Sequence, residues 1–192
     1  MRPLVLASTS RYRRELLERF GLPFLTDKPD TDETPLARET PSATAGRLAV
    51  AKARAVAARH PDALIIGSDQ VASVGDERFG KPGTVENAIA QLKAMRGRAI
   101  VFHTAVALLD AKTYEAAFEI VPTEVAFRDL SDDEIVRYVE RELPLDCAGS
   151  AKSEALGITL LEHIRGDDPN ALVGLPLIAL ARLLRHAGVT LP

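Results

Sequence analysis

Short apolar runs alternate with amphipathic stretches along this chain, and the alternation predicts strands and helices in turn. Pro3 to Ala7 is an unbroken apolar run of strand length. After a hydroxyl-rich turn, Tyr12 to Phe20 places Leu16, Leu17 and Phe20 on one helical face, and Gly21 closes it. The segment from Asp27 to Pro35, DKPDTDETP, is polar and punctuated by proline. It reads equally as a mobile linker or as a surface loop at a binding cleft. Ser42 to His60 is alanine-rich and predicts a helix capped by Ser42, with an inward stripe of Ala45, Leu48 or Ala49, Lys52 and Val56. Ala63 to Gly67 lacks alternation, so it predicts a strand covered on both faces.

The second half repeats the pattern. Val85, Ala88, Ile89, Leu92 and Met95 mark a helix over Thr84 to Met95. Ile100 to Leu109 and Glu119 to Phe127 predict neighbouring strands. Ser131 to Glu140 carries a capping box, Ser131 with Glu134, and a hydrophobic staple from Leu130 to Ile135. Ile158 to Glu162 predicts a further strand, and Pro176 to His186 a largely buried terminal helix. Strands and helices interleave without repeats, which predicts an α/β sandwich on a mixed, twisted sheet. One domain over residues 1–192 is expected, with a small lobe near 120–150 beside the cleft.

Composition narrows the class. A chain of 192 residues buries roughly 70% of its surface on folding, so neither disulfide nor structural metal is required. With 46% hydrophobic and 27% charged residues, a disordered or fibrous chain is excluded. The 24 basic and 27 acidic residues nearly cancel, and aromatics are only 5%, so no nucleic-acid partner is expected. One cysteine, Cys147, forbids an internal disulfide, and the four histidines lack zinc spacing. The opening MRPLVLAST reaches Ser8 too soon for a secretory core, and Ala171 to Leu184 is too short to span a bilayer. No membrane partner is expected, and the cytoplasm is the simplest compartment.

Candidate chemistry gathers at a few places. In STSRYRR, residues 8 to 14, Ser8 and Ser10 stand where a strand gives way to a helix, with Arg13 and Arg14 close by. Helix N-termini and guanidinium forks both suit phosphate, although capping plus a solvent-facing basic pair explains the same residues. Asp69 in GSDQ follows the buried run and is expected near a strand's carboxyl end, where α/β ligands collect. There it reads as a base, a water-orienting group, a metal ligand or a turn residue. Lys52 faces inward and needs a charged partner, a ligand or a route back to solvent. Asp32, Glu33 and Lys81 in one cleft would suit metal-assisted phosphoryl chemistry, while each alone fits an exposed loop. Lys152, Glu154 and Asn170 add polar groups at turns. His60 and His186 fit helix ends, and Cys147 fits a packed thiol.

Taken in order, STSRYRR, DET at Asp32 to Thr34, GSDQ at Gly67 to Gln70, GKP at Gly80 to Pro82 and DPN with VGLP near the end form a specific set. On these landmarks the chain resembles the Maf family of nucleoside triphosphate pyrophosphatases nearly end to end. The resemblance implies an elongated, Maf/ITPase-like α/β fold with a nucleotide cleft between two lobes, often in a homodimer. It implies hydrolysis of a nucleoside triphosphate to monophosphate and pyrophosphate with a divalent metal, Mg²⁺ or Mn²⁺. Asp69 would be the proton acceptor, Glu33 and Asp69 the metal carboxylates, and Ser8, Arg13, Arg14, Lys52 and Lys81 the phosphate-holding groups. Tyr12, Gln70 and Glu154 resemble the branch acting on 7-methyl-GTP rather than on dTTP and UTP, with tryptophan often standing where this chain has Tyr12. Ser10, Lys152 and Asn170 complete the candidate substrate set. The alternatives are a dTTP/UTP pyrophosphatase of the same family and, of a different class, a non-catalytic nucleotide-binding regulator of cell division.

Overall fold

A computed structural model describes residues 2–192. Along the chain run β1 (Leu4–Ala7), α1 (Arg11–Glu18), β2 (Leu25–Asp27), α2 (Pro41–Ala57), β3 (Leu64–Val74) and β4 (Glu77–Phe79). Then follow α3 (Val85–Met95), β5 (Ala99–Asp110), β6 (Ala116–Phe127), α4 (Asp132–Glu142), β7 (Leu161–Gly166) and α5 (Leu177–His186). Seven strands form one mixed sheet in the order β2-β1-β3-β5-β6-β7, with β4 paired to β3. The β1 pairings with β2 and β3 are parallel, and the pairings beyond β3 are antiparallel. This is the mixed α/β architecture that the strand–helix alternation predicts.

Local chemistry accounts for the boundaries and for several departures. The α2 cap is Thr40, not Ser42: Thr40 Oγ1 accepts the Ala43 N–H at 3.2 Å, and Pro41 fills the first helical position. Proline suits that position because its missing N–H would be unpaired there anyway. The helix ends at Ala57, short of His60, whose ring meets Asp27 at 2.8 Å. Around α4, both halves of the Ser131–Glu134 capping box form, with Leu130 and Ile135 buried in one cluster. Residues 158–162 are not a single strand. A 3₁₀ turn at Leu156–Leu160 precedes β7, whose pairing slips at Ala126/Phe127.

The largest departure concerns β3. Sequence polarity suggests that the strand ends at Gly67, yet it continues through Ser68, Asp69 and Gln70 to Val74. Antiparallel pairing with β5 runs from Leu64↔Asp110 to Ser73↔Val101, so the backbone groups of this polar stretch have ladder partners. Asp69 therefore lies in mid-strand. It still lies past the end of the parallel part, because β1 pairs with β3 only as far as Leu6↔Ile66.

Apolar packing divides along the long strands. Leu6, Leu17, Ile66, Leu175 and Leu180 belong to one buried cluster, built from β1, α1, β3 and α5. Ala72, Leu92, Ile100, Ile135 and Val139 belong to another, beneath α3 and α4. The polar middle of β3 falls between Ile66 and Ala72, where an opening can form without breaking either core. No helix among the described residues is long and apolar enough to cross a membrane.

Candidate active site

Two backbones in close contact build the floor of the cleft. A Cβ on Gly67 would lie 2.0 Å from the Ala49 carbonyl oxygen, so only glycine lets α2 approach β3 this closely. Three residues beyond Ala49, Lys52 then reaches across to β3, and its Nζ donates to Asp69 Oδ1 at 2.5 Å. Glu33 Oε1, from the polar loop, lies 2.7 Å from the same nitrogen. Lys52 is only 7% exposed, and these two carboxylates compensate the burial of its charge. Asp69 Oδ2 has no hydrogen-bond partner among the described residues and stays available to water.

The first turn of α1 forms the facing wall. Ser8 Oγ accepts the Ser10 N–H at 3.1 Å, and Ser10 Oγ caps the helix by accepting the Arg13 N–H at 3.4 Å. Arg13 Nε donates to the Gly174 carbonyl at 2.9 Å, which aims the guanidinium into the cleft. Gly174 adopts φ +122°, a backbone conformation that favours glycine, and its carbonyl also accepts from the Ser68 hydroxyl at 2.9 Å. Burial lowers the Arg13 pKa, with Asp69 and Glu33 opposing, and a guanidinium so placed stays cationic. Burial alone would raise the Glu33 pKa. The hydrogen bond from Lys52, with the charges of Lys52, Lys81 and Arg13, outweighs that and holds it below its usual range.

The cleft has a volume of about 890 Å³, ample for a nucleotide. Ser8, Ser10, Arg13, Glu33, Lys52 and Asp69 line it together, although they come from five separate segments. Lys81 lines it too, with an exposed side chain. Tyr12 and Glu154 also line it. The Arg11 guanidinium lies 4.7 Å from the Tyr12 ring centroid, and the Glu154 side chain is exposed with no ion-pair partner among the described residues.

Four expected site residues are placed differently. Arg14 points away from the cleft, pairing with Glu18 at 3.1 Å on the solvent face, because consecutive helical side chains diverge by about 100°. Lys152 does not line the cleft; its Nζ donates to the Glu142 carbonyl at 3.2 Å and ties down the end of α4. Asn170 does not line it either. Its Oδ1 accepts from Arg19 at 2.7 Å, and its N–H is held by Asp168 at 2.9 Å. Gln70 borders the cleft, but its amide nitrogen serves Thr104 Oγ1, Ala171 O and Leu172 O at 2.8, 3.1 and 3.0 Å. It therefore pins the 171–172 segment to the sheet.

Arg78 in the cleft and Ser68 behind its floor escape sequence reasoning. Arg78, on β4, lines the cleft and donates to Thr44 Oγ1 at 2.9 Å and to the Glu39 carbonyl. Its one sequence signal is a basic residue beside the GKP turn. Ser68, inside GSDQ, is fully buried and binds the Ala105 and Gly174 carbonyls. Cys147 lines the wall, but burial and Asp146 push its thiol up to about 12, which keeps it protonated and unreactive.

Among the described residues no three His, Cys, Asp or Glu side chains group as a metal site. Glu33 and Asp69 remain, two hard oxygen donors opening on one cleft. Mg²⁺ commonly takes one or two protein carboxylates and completes its shell with water and substrate phosphate, so this donor set fits it.

The sequence profile of the Maf-like protein family matches residues 3–187. A 7-methyl-GTP pyrophosphatase of Aromatoleum aromaticum is 70% identical over 98% of this chain and 97% of its own length. Proteins of the same description from Thiobacillus denitrificans and Cupriavidus metallidurans are 59% and 57% identical, over 97% and 96% of this chain and 92% and 93% of theirs. Among solved structures, the Staphylococcus aureus Ham1 protein shares 16% identity at a TM-score of 0.49, over 66% of this chain and 72% of that one. The chain belongs to the Maf-like protein family.

Proposed function

We propose that this cleft hydrolyses a nucleoside triphosphate, foremost 7-methyl-GTP, to the nucleoside monophosphate and pyrophosphate. The observation that carries the proposal is Lys52 holding both Asp69 and Glu33 in a cleft faced by Arg13 and the α1 N-terminus. The relatives described as 7-methyl-GTP pyrophosphatases support the reaction and the substrate. Cations on one side and carboxylates on the other suit phosphate transfer to water, because the chain's charge is neutralised while a base remains for the nucleophile.

In this reading the free oxygen of Asp69 takes a proton from water. The water oxygen bonds to the α-phosphorus as the α–β bridging bond breaks, and pyrophosphate leaves with that electron pair. Lys52 orients Asp69 through the hydrogen bond to its other oxygen. Arg13, Lys81 and the first-turn amides hold the phosphate chain, and Ser8 and Ser10 shape that turn. A divalent cation, Mg²⁺ or Mn²⁺, would be held by Glu33 and Asp69 and, when bound, withdraws charge from the phosphate oxygens. Tyr12 offers an aromatic face and Glu154 a free carboxylate at the same cleft, a combination suited to a cationic methylated guanine.

Turnover of 7-methyl-GTP, GTP, dTTP and UTP, each with products identified, tests this directly. Monophosphate and pyrophosphate from 7-methyl-GTP, ahead of the pyrimidines, is the expected result. Faster pyrimidine turnover would move the substrate assignment. Nucleotide binding without pyrophosphate release in the presence of Mg²⁺ or Mn²⁺ would mean a binding protein instead.

A further inference from the structure

The carboxylate of Glu33 comes from a polar loop with no regular structure between Lys28 and Thr40, and its side chain is 58% exposed. Its only ion-pair partner among the described residues is Lys52. An exposed loop residue of this kind ordinarily samples many positions, so something must hold the backbone on either side of it.

A second group on α2 does so. Arg47 grips Glu39 with two bonds, Nε to Oε1 at 2.6 Å and a terminal nitrogen to Oε2 at 2.8 Å. The same guanidinium donates to the Thr34 carbonyl at 3.1 Å, one residue from Glu33. Glu39 Oε2 also accepts the Leu36 N–H at 3.1 Å and the Thr44 hydroxyl at 2.8 Å. From the sheet side, Arg78 donates to Thr44 Oγ1 and to the Glu39 carbonyl. The Glu39 side chain is only 9% exposed and that of Arg47 29%, so this is a partly buried hub rather than an open surface pairing.

We infer that Arg47 and Glu39 are positioning residues, a strap that fixes the loop so that Glu33 meets Lys52 and a cation across the cleft. One helix grips the loop twice, Lys52 by the Glu33 side chain and Arg47 by the adjoining backbone. The planar fork is essential, because one group must satisfy a carboxylate at two points and a carbonyl at a third, which an ammonium cannot match in geometry. Neither residue touches substrate in this scheme. The inference rests on the role proposed for Glu33, and the test separates the two.

Arg47→Ala, Arg47→Lys, Glu33→Gln and the double variant Glu33→Gln/Arg47→Ala are compared by steady-state kinetics. Amide hydrogen exchange over residues 32–36 is measured without substrate or metal, and melting curves check the fold. Loss of a supporting shell ordinarily costs about 10–100-fold, so Arg47→Ala should lower kcat by that amount with KM nearly unchanged. Arg47→Lys should recover little of it. In the Glu33→Gln background the same substitution should add no more than about threefold, because both act through one carboxylate. Exchange over residues 32–36 should quicken in both Arg47 variants.

Additive losses, or parental kcat in Arg47→Ala, would overturn the strap. If Glu33→Gln itself retains parental turnover, the role proposed for Glu33 falls, and exchange alone judges the strap. Unchanged exchange in Arg47→Ala would then overturn it. If Arg47→Ala does not fold, Arg47→Lys carries the same comparison.

Discussion

Replacing Gly67 with alanine perturbs the cleft from behind, without touching any group that faces substrate. The added Cβ would sit 2.0 Å from Ala49 O and 2.9 Å from Ala53 N, whereas ordinary contact begins at 3.4 Å. Both atoms are helix backbone, so no side-chain rotation relieves the overlap. The helix must retreat by more than about 1 Å, and overpacking of this kind costs about 1–3 kcal/mol or more. At roughly 2–4 °C per kcal/mol for a domain this size, melting should fall by about 2–12 °C. Function should suffer more, because Lys52 rides on the displaced turn and its 2.5 Å contact with Asp69 opens. Misplacing such a group by about 1 Å can cost about a hundredfold in rate. Thermal melts and pyrophosphate release would be measured for Gly67→Ala beside Gly80→Ala, where an added Cβ meets nothing within 4 Å. Parental melting and turnover in Gly67→Ala would refute the claim that helix–strand contact sets the lysine's reach.

Other outcomes follow from the same geometry. Arg13→Ala should lower turnover by about a hundredfold, the scale of losing one charge-stabilising donor, while Arg14→Ala should stay within about twofold. Equal losses from the two, read from the same kcat measurements, would contradict the opposite directions these side chains take. Gln70→Leu should cost about 1–3 kcal/mol of stability, read as a lower urea midpoint, since the Ala171 and Leu172 carbonyls lose a donor. Stability should also depend on acid. Arg47 holds the Glu39 carboxyl down to about 2, and Arg59, with His60, holds that of Asp27 to about 2. Both lie below the usual unfolded value of about 4. A depressed carboxyl contributes stability above its unfolded pKa and loses it as pH falls towards its folded one. The urea midpoint should therefore be level from about pH 8 to 6 and decline below about pH 4.5, with a shallower decline in Glu39→Gln.

Much of the site's framework is legible in the chain because it rests on local periodicity. The apolar stripe of α2 places Lys52 inward, and the capping box of α4 forms as the spacing of Ser131 and Glu134 requires. The continuation of β3 is not legible, because a strand interior ordinarily excludes Ser, Asp and Gln. Here each finds a partner far away in sequence: Ser68 at Ala105 and Gly174, Asp69 at Lys52, and Gln70 at Thr104 and the 171–172 carbonyls. Neighbouring arginines look alike in STSRYRR, yet only Arg13 finds a carbonyl, that of Gly174, to steer it inward. Arg78 gives little sign of itself because both of its partners lie on other elements, more than thirty residues earlier. Short-range patterns reveal which face of an element is buried. They carry no record of which distant group will meet a polar side chain there.

Asp69→Asn, followed by calorimetric titration with triphosphate and by pyrophosphate release, probes the base at the cleft floor most directly. The amide keeps an oxygen for Lys52 but has lost the basicity needed to accept a proton from water. Nucleotide should still bind and the melting curve should hold, while turnover falls by about a hundredfold to ten-thousandfold, the range for losing a general base. Pyrophosphate released at the parental rate by this variant would contradict the mechanism.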